Sequence, residues 1–138
     1  MDITIYTDGA CSQGSHENCA WIMGYSFVIE EYSKDRVITC KHINTDIGKG
    51  TNNIAEYRGL IEALVYFYDY YEVLRNYKDV NLKIFSDSDL MVNQVNGRWK
   101  AKDEKLKVLC DRARSLLKRY TWKLSWVPRE QNKAGHLL

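Results

Sequence analysis

Apolar and polar residues alternate at the start of the chain. Ile3 and Ile5 stand between more polar neighbours over residues 2–7, and this period of two predicts a β-strand. Residues 8–10 (DGA) are expected to end the strand, and the polar residues 11–18 are expected to form a loop.

Two further segments, residues 21–30 and 36–43, are rich in β-branched and aromatic side chains, which favour strands. The turn-forming residues 32–35 (YSKD) lie between them and predict a hairpin. Residues 45–50 are predicted to be a loop.

The period changes from Asn53 onward. Apolar residues recur at steps of three and four between Ile54 and Tyr68, which predicts an amphipathic helix of about five turns. Thr51 or Asn52 is expected to cap it, because the side-chain oxygen of either residue can accept an unpaired backbone N–H.

Strands and helices alternate in the second half of the chain. The predicted elements are a strand at 80–85 closed by 86–88 (SDS), a short helix at 89–95, a long helix at 105–119, a strand at 121–127 stopped by Pro128, and a helical stub that begins at 132. This order is typical of a mixed α/β sheet with helices packed on it.

Composition and charge fit an ordinary globular protein. At 138 residues the chain is expected to form one domain, 1–138. A net charge of +2 is too small to indicate a nucleic-acid partner by itself. No apolar run is long enough to span a bilayer, and the first residues lack the features of a secretory signal. The four cysteines contain no CxxC pair, and with no export signal we expect reduced thiols and a cytoplasmic location. We also expect a monomer that makes no contact with membranes.

Three acidic residues fall where ligands are commonly bound. Asp8 and Asp87 end two predicted strands, and Glu56 lies near the start of the first long helix. Converging carboxylates repel one another and lose hydration, and a divalent cation offsets both costs. Oxygen ligands suit Mg²⁺ or Mn²⁺. Singly, Asp8 also fits a turn former, Glu56 a favourable charge for the helix dipole, and Asp87 an N-cap.

The residues around these acids resemble the blocks of type 1 ribonucleases H. The matching segments are 6–11 (YTDGAC), 51–56 (TNNIAE), 86–88 (SDS) with 92–94 (VNQ), and 127–133 (VPREQNK). Residues 96–100 (NGRWK) and 103–106 (DEKL) resemble the shorter archaeal-like branch that lacks a basic protrusion. The resemblance implies the ribonuclease H-like fold: a five-stranded mixed sheet, three antiparallel strands then parallel additions, flanked by helices.

The resemblance also implies the chemistry. Two Mg²⁺ or Mn²⁺ ions held by Asp8, Glu56 and Asp87 would hydrolyse the RNA strand of an RNA/DNA hybrid, leaving 5′-phosphate and 3′-hydroxyl ends. The small size and the 51–53 block argue against a transposase or integrase core, which shares this architecture.

Substrate contacts are implied at the matching positions. The RNA strand is expected to meet Glu56 and the residues around it: Gly9, Ala10, Cys11, Asn52 and Asn53. A phosphate of the DNA strand is expected to meet Lys49, Thr51 and Asn132, which otherwise fit a solvated lysine, a helix cap and a surface turn.

Trp99 stands in the one local cluster of basic residues, which spans 98–107. Aromatic and basic groups together suit a groove for the DNA strand. A solvated helix face that carries a core tryptophan is the competing interpretation.

The last block departs from the family pattern. His136 stands where a fourth metal-binding aspartate is expected. Either His136 is a metal ligand and a catalytic-site residue, or the position has decayed and the protein is a hybrid-binding module with weakened or lost cleavage. The histidine thought to assist turnover in relatives is also missing, and Arg129 or Glu130 is a candidate to replace it.

A zinc site is a weaker alternative. Cys11, His16 and Cys19 lie close in sequence, and Cys40 or His42 would complete a set of four zinc ligands. The spacing of these residues matches no common zinc motif.

Overall fold

A five-stranded mixed β-sheet lies at the centre of the protein. The structure is a computed structural model, and it describes residues 2–13, 21–33, 36–71 and 80–137. The strands are β1 (Asp2–Gln13), β2 (Trp21–Ser33), β3 (Arg36–Asn44), β4 (Asn81–Ser86) and β5 (Thr121–Trp126). Their spatial order is β3-β2-β1-β4-β5. The first three strands are antiparallel neighbours, and β4 and β5 join parallel to β1. The predicted fold class is therefore confirmed.

β1 is longer than the sequence predicts. The expectation that residues 8–10 end this strand, and that a loop begins at residue 11, is wrong, because β1 continues to Gln13 by pairing with β2. Its parallel pairing with β4 ends earlier, at Thr7 and Ser86. Asp8 is therefore the first residue of β1 beyond the last pair with β4. The rest of the predicted loop, residues 14–18, and the centre of the predicted hairpin turn, residues 34–35, lie outside the described residues.

Three helices follow the predicted periodicity. They are α1 (Asn52–Tyr71), α2 (Asp89–Val95) and α3 (Glu104–Leu117). Thr51 caps α1, because its Oγ1 accepts the backbone N–H of Ile54 at 3.2 Å. α3 begins one residue earlier than predicted because the Asp103 side chain accepts the backbone N–H groups of Lys105 and Leu106. None of the described helices is long and apolar enough to cross a membrane.

The hydrophobic core joins α1 to the sheet. α1 packs on β1 and β2, and α3 packs against α1. Ile5 and Ile84 from neighbouring strands are fully buried, as are Leu60 and Leu64 of α1. This packing fixes α1 against β1 and β2, which places Glu56 beside Asp8.

The last part of the chain forms two short 3₁₀ helices, Arg129–Gln131 and Lys133–His136, where a helical stub from residue 132 was predicted. The side chain of Asn132 caps the second one by accepting the Ala134 N–H at 3.1 Å. These turns bring the chain back to β1 and β2.

Candidate active site

Asp8, Glu56 and Asp87 converge at one point of the sheet. One carboxylate oxygen from each lies within 4.8 Å of the others, and this is the one such group of potential metal ligands in the described part of the chain. Asp8 and Glu56 are buried, and Asp87 is partly buried. Three residues far apart in sequence are thus brought together as predicted.

Two glycines allow α1 to approach β1 closely. A Cβ at Gly9 would overlap the carbonyl group of Ala55 and the backbone nitrogen of Glu56. A Cβ at Gly59 would lie 2.7 Å from the backbone oxygen of Asp8. The helix therefore lies directly on the strand at the level of the acids, and this brings Glu56 within reach of Asp8.

Glu56 is held by hydrogen bonds to both of its oxygens. The backbone N–H of Gly9 donates to Oε1 at 3.1 Å, and the Ser86 hydroxyl donates to Oε2 at 3.4 Å. No acidic residue lies in the first turn of α1, so the helix-dipole interpretation of Glu56 is not supported. Ser88, and not Asp87, caps α2 by accepting the Met91 N–H at 3.2 Å, so Asp87 is not needed as a cap.

The carboxylates of Asp8 and Asp87 lack the hydrogen bonds that buried acids usually have. No described residue donates a hydrogen bond to either oxygen of Asp8 or to Oδ2 of Asp87. The guanidinium of Arg129, largely exposed, lies 3.9 Å from Asp8 Oδ2 and 3.7 Å from Asp87 Oδ2. Both candidates to replace the missing histidine, Arg129 and Glu130, are exposed, and Arg129 lies beside the acids.

Burial and crowding make Asp8 and Glu56 hard to ionise in the metal-free protein. Burial first, and the charge of Asp8 second, raise the pKa of Glu56 to about 9. Burial, and then the charge of Asp87, also raise the pKa of Asp8. A cation bound among the three oxygens would offset both effects.

The residues present fit a divalent cation. The available donors are carboxylate oxygens, which hard ions such as Mg²⁺ and Mn²⁺ prefer. The unpartnered oxygens of Asp8 and Asp87 are buried, so they lack the usual hydrogen-bond compensation.

The segment that carries Asn132 is fastened to the sheet. The Asn132 amide donates to the Thr7 carbonyl at 2.9 Å, and the Ser26 hydroxyl donates to the Ala134 carbonyl at 2.7 Å. Lys133 Nζ lies 2.9 Å from both carboxylate oxygens of Glu30. These contacts hold Arg129 and the following turn beside Asp8.

The chain is similar in sequence and in fold to known proteins. A family model described as Reverse transcriptase-like matches residues 6–138. The crystal structure of RNase H1 from the archaeon Halobacterium salinarum superimposes with a TM-score of 0.77 and 30% sequence identity, over 100% of this chain and 94% of that one. The chain belongs to the type 1 ribonuclease H family.

A second solved structure and a curated protein are also similar to this chain. The structure of LC11-RNase H1 in complex with an RNA/DNA hybrid matches with a TM-score of 0.77 and 29% identity, over 99% of this chain and 92% of that one. A curated bifunctional protein of Mycobacterium tuberculosis is 32% identical over 133 residues, which are 96% of this chain and 33% of that protein. The chain therefore spans about a third of the length of that relative.

The positions expected to contact the RNA strand of a ribonuclease H substrate surround Glu56. The backbone N–H of Cys11 donates to Asn52 Oδ1 at 2.9 Å, and the Cys11 thiol donates to the Gly50 carbonyl at 3.2 Å. Asn52 and Asn53 are exposed at the start of α1. Gly9 is buried beneath that helix and Ala10 is half-buried. Their contacts with RNA remain predictions.

The three residues expected to bind a DNA phosphate do not share one environment. Lys49 and Thr51 are exposed, and Lys49 lies in an isolated bridge with Ile22. Asn132 is fully buried, and both ends of its amide bond to the protein. The expectation that Asn132 contacts a phosphate is therefore corrected: the side chain is used to cap a turn and to fasten it to β1.

Trp99 is 46% exposed, so the interpretation as a core tryptophan is wrong. Its backbone N–H donates to the Asn93 carbonyl at 3.2 Å, as does that of Arg98 at 2.9 Å. A role for Trp99 in binding the DNA strand remains a prediction.

His136 is exposed and is not part of the group formed by the three acids. It follows Gly135, where a Cβ would lie 3.8 Å from Asp8 Oδ2, so the histidine lies on the turn next to the site. Its role as a metal ligand remains a prediction.

No described residues support the zinc alternative. Cys11 and Cys40 donate hydrogen bonds to Gly50 and Tyr66, and no described cysteine or histidine joins a group of three potential ligands. His16 and Cys19 lie outside the described residues.

Sequence reasoning missed two residues that support the acids. Ser86 was noted only as part of a motif, yet its hydroxyl bonds to Glu56. Trp126 was placed in a strand, yet its indole N–H donates to the Asp87 carbonyl at 3.1 Å. Neither residue carries a local signal, because each acts on a residue positioned by tertiary structure.

Proposed function

We propose that this protein is a ribonuclease H that hydrolyses the RNA strand of RNA/DNA hybrids, using two Mg²⁺ or Mn²⁺ ions held by Asp8, Glu56 and Asp87. The observation that carries the proposal is the group of three carboxylates whose oxygens lie within 4.8 Å of one another, with the oxygens of Asp8 unpartnered. The named ribonuclease H relatives support the same activity.

The bound ions would supply an activated water and would stabilise the leaving 3′ oxygen, so that products carry 5′-phosphate ends. The protein's own contribution is to hold the ligand oxygens in place. Gly9 N–H and Ser86 Oγ orient Glu56, and the Trp126 indole holds the backbone of Asp87. Such fixed orientation of the ligands is what second-layer hydrogen bonds provide at metal sites.

Arg129 is the exposed positive charge of the site. Its exposed guanidinium lies near Asp8 and Asp87, so it partly neutralises both in the metal-free protein. Because its ion-pair distances are long and it is exposed, it can swing away when a stronger cation binds.

RNA is proposed to be recognised through its 2′-hydroxyl groups by Asn52, Asn53 and the backbone near Cys11, since that hydroxyl distinguishes RNA from DNA. Lys49, Thr51 and Trp99 are proposed to contact the DNA strand. The unpaired thiols of Cys11, Cys40 and Cys110 are in keeping with the reducing cytoplasm that we propose as its location.

The test is a cleavage assay on an end-labelled RNA/DNA hybrid with Mg²⁺ or Mn²⁺, beside all-DNA and all-RNA duplexes of the same sequence. We expect cleavage of the hybrid RNA strand with little dependence on base sequence, sparing of the DNA duplex, and 5′-phosphate products. Binding should weaken steeply with salt because phosphate contacts release counterions. Equal cutting of DNA, or a strong preference for one base sequence, would contradict the proposal.

A hybrid-binding protein with weakened cleavage is the second candidate, favoured by one observation: His136, at the position of the fourth acid, is exposed and outside the group of ligands. The same assay separates the two. Tight binding of the hybrid without cleavage under either metal supports the second candidate.

A further inference from the structure

A groove of about 400 Å³ lies between α2 and β5, the strand at the edge of the sheet opposite β3. It begins beside the candidate active site, because Trp126 and Asp89 both line it. The Trp126 indole donates to the Asp87 carbonyl, and Asp89 follows Asp87 by two residues. Its volume is in the range of sites for single small ligands, and it is too small for a duplex. The groove uses none of the residues that hold the metal ligands except Trp126.

Two cations line the groove and are not neutralised. Neither Arg98 nor Lys123 forms an ion pair with a carboxylate in the described part of the chain. Lys123 also lies directly beside Lys83 in the register of β4 and β5, and like charges placed opposite each other are unfavourable. The acid in the lining, Asp89, accepts a hydrogen bond from Asn93 at 2.9 Å. An anionic ligand would relieve the repulsion between the lysines.

Trp126 offers a fixed aromatic face at the mouth of the groove. It is 50% exposed, which is unusual for so large an apolar side chain. Its one polar atom is satisfied by the Asp87 carbonyl at 3.1 Å, so the ring is held in place while much of it remains open to solvent. Indole rings in such positions stack on nucleobases.

We propose that this groove binds one unpaired nucleotide of the RNA strand, so that the protein favours hybrids whose RNA continues as a single-stranded tail next to the cleavage site. The inference rests on the proposed function and names its preferred substrate class. A paired base inside the duplex cannot stack on Trp126, because its neighbours cover both of its faces. An unpaired base can enter the groove, while Arg98 and Lys123 contact its flanking phosphates.

The first test compares three labelled hybrids with the same paired block: one blunt, one with a 5′ RNA tail and one with a 3′ RNA tail. Dissociation constants are measured with Mg²⁺ in the Asp8→Asn protein, so that the result does not depend on cleavage. We expect one of the two tails, and only one, to lower Kd about fivefold to tenfold. Equal Kd for all three, or an equal gain from both tails, overturns the inference. Cleavage of the blunt hybrid by the wild type reports separately on the proposed function.

The second test uses variants in the same background. Trp126→Phe keeps a ring that can stack but loses the bond to Asp87, whereas Trp126→Leu loses both. We expect the leucine variant to lose the preference for the tail and the phenylalanine variant to keep most of it. Equal loss in both would show that the indole acts only by holding Asp87, which contradicts the stacking role.

The charges are tested with a matched control. Lys123→Ala and Arg98→Ala should each reduce the preference for the tail at least twofold. The remaining preference should also depend less on the salt concentration. Lys118→Ala removes an exposed cation at the end of α3, outside the groove, and should leave the preference unchanged. Indistinguishable behaviour of Lys123→Ala and Lys118→Ala would overturn the proposal even if the tryptophan variants failed to fold.

Discussion

The backbone of Gly9 in β1 lies directly against the carbonyl of Ala55 in α1, with no room for a Cβ between them. This approach also lets the Gly9 N–H bond to Glu56 at 3.1 Å. One glycine therefore serves both the packing of the helix and the orientation of a proposed metal ligand.

Gly9→Ala should damage stability and activity together. The added methyl must push the helix away from the strand, at a cost of about 2 kcal/mol or more in the free energy of unfolding. Urea unfolding measures the cost, and hybrid cleavage should fall because Glu56 moves. Gly135→Ala is the control for stability, because its Cβ would meet its neighbours only at 3.7 Å or beyond. Equal stability of the two variants would show that α1 can move away from β1 without a cost in stability.

Asp8→Asn and Asp87→Asn should each abolish cleavage while leaving the metal-free protein as stable as the wild type or more stable. The amide carries no charge, so its introduction relieves repulsion among the crowded acids. Cleavage assays and thermal unfolding without metal check the two effects, and Asp111→Asn on the exposed face of α3 is the matched control. Retention of more than a few per cent of wild-type activity by Asp87→Asn would undo the assignment of the site.

The metal-free protein should lose stability as the pH rises. Burial raises the pKa of Glu56 from 4.5 to about 9, so the folded state binds more protons than the unfolded chain between those values. The free energy of unfolding contributed by this group is therefore highest below the lower value and falls as pH rises through the window. Mg²⁺ or Mn²⁺ should stabilise the protein more at the alkaline end, because it binds the ionised acids.

Urea unfolding across this pH range, with and without the divalent ion, measures that dependence. Glu56→Gln should flatten the slope in the metal-free protein, since glutamine does not titrate. If wild type and Glu56→Gln share the same slope, Glu56 is already ionised in the folded protein and the expectation is wrong.

His136 should set the metal preference. An imidazole suits Mn²⁺ better than Mg²⁺, whose demand is for oxygen. It also adds no negative charge when it binds as the neutral ring. We expect wild-type activity to be higher with Mn²⁺, and His136→Asp to shift the preference toward Mg²⁺. Cleavage rates with each metal test this, with His136→Ala as reference. Unchanged rates and preference in the alanine variant would show that three carboxylates alone hold the ions.

Much of the fold follows from periodicity. The helix at 89–95 was predicted at its observed bounds, and the strong alternation at Ile3 and Ile5 marks a strand buried on one face. The extension of β1 to Gln13 was missed because DGA is a turn signal locally. Pairing with β2 overrides that signal, and such pairing is not visible in a short window of sequence.

The candidate site, like the fold, could be predicted from the sequence only in part. The three acids carry recognisable flanking residues, whereas the buried cap formed by Asn132 was interpreted as a surface contact. An asparagine in a polar segment gives no local sign of its burial. The contacts of Trp126 and Ser86 with the acids depend on where β4 and β5 end, and the order of the strands decides that.

The position at which the pairing of β1 with β4 ends makes the candidate active site depend on correct folding of the sheet. Thr7 and Ser86 form the last shared pair, and the residue that follows each of them in the chain, Asp8 or Asp87, is a proposed ligand. A slip of one residue in this pairing would turn one strand over relative to the other and send its aspartate to the opposite face of the sheet. A misregistered chain could retain its helices and much of its compactness and still lack the site. Divalent ions would then bind only molecules with the correct pairing of β1 and β4. By binding them, the ions would shift the folding equilibrium toward the correct pairing, in addition to their role in catalysis.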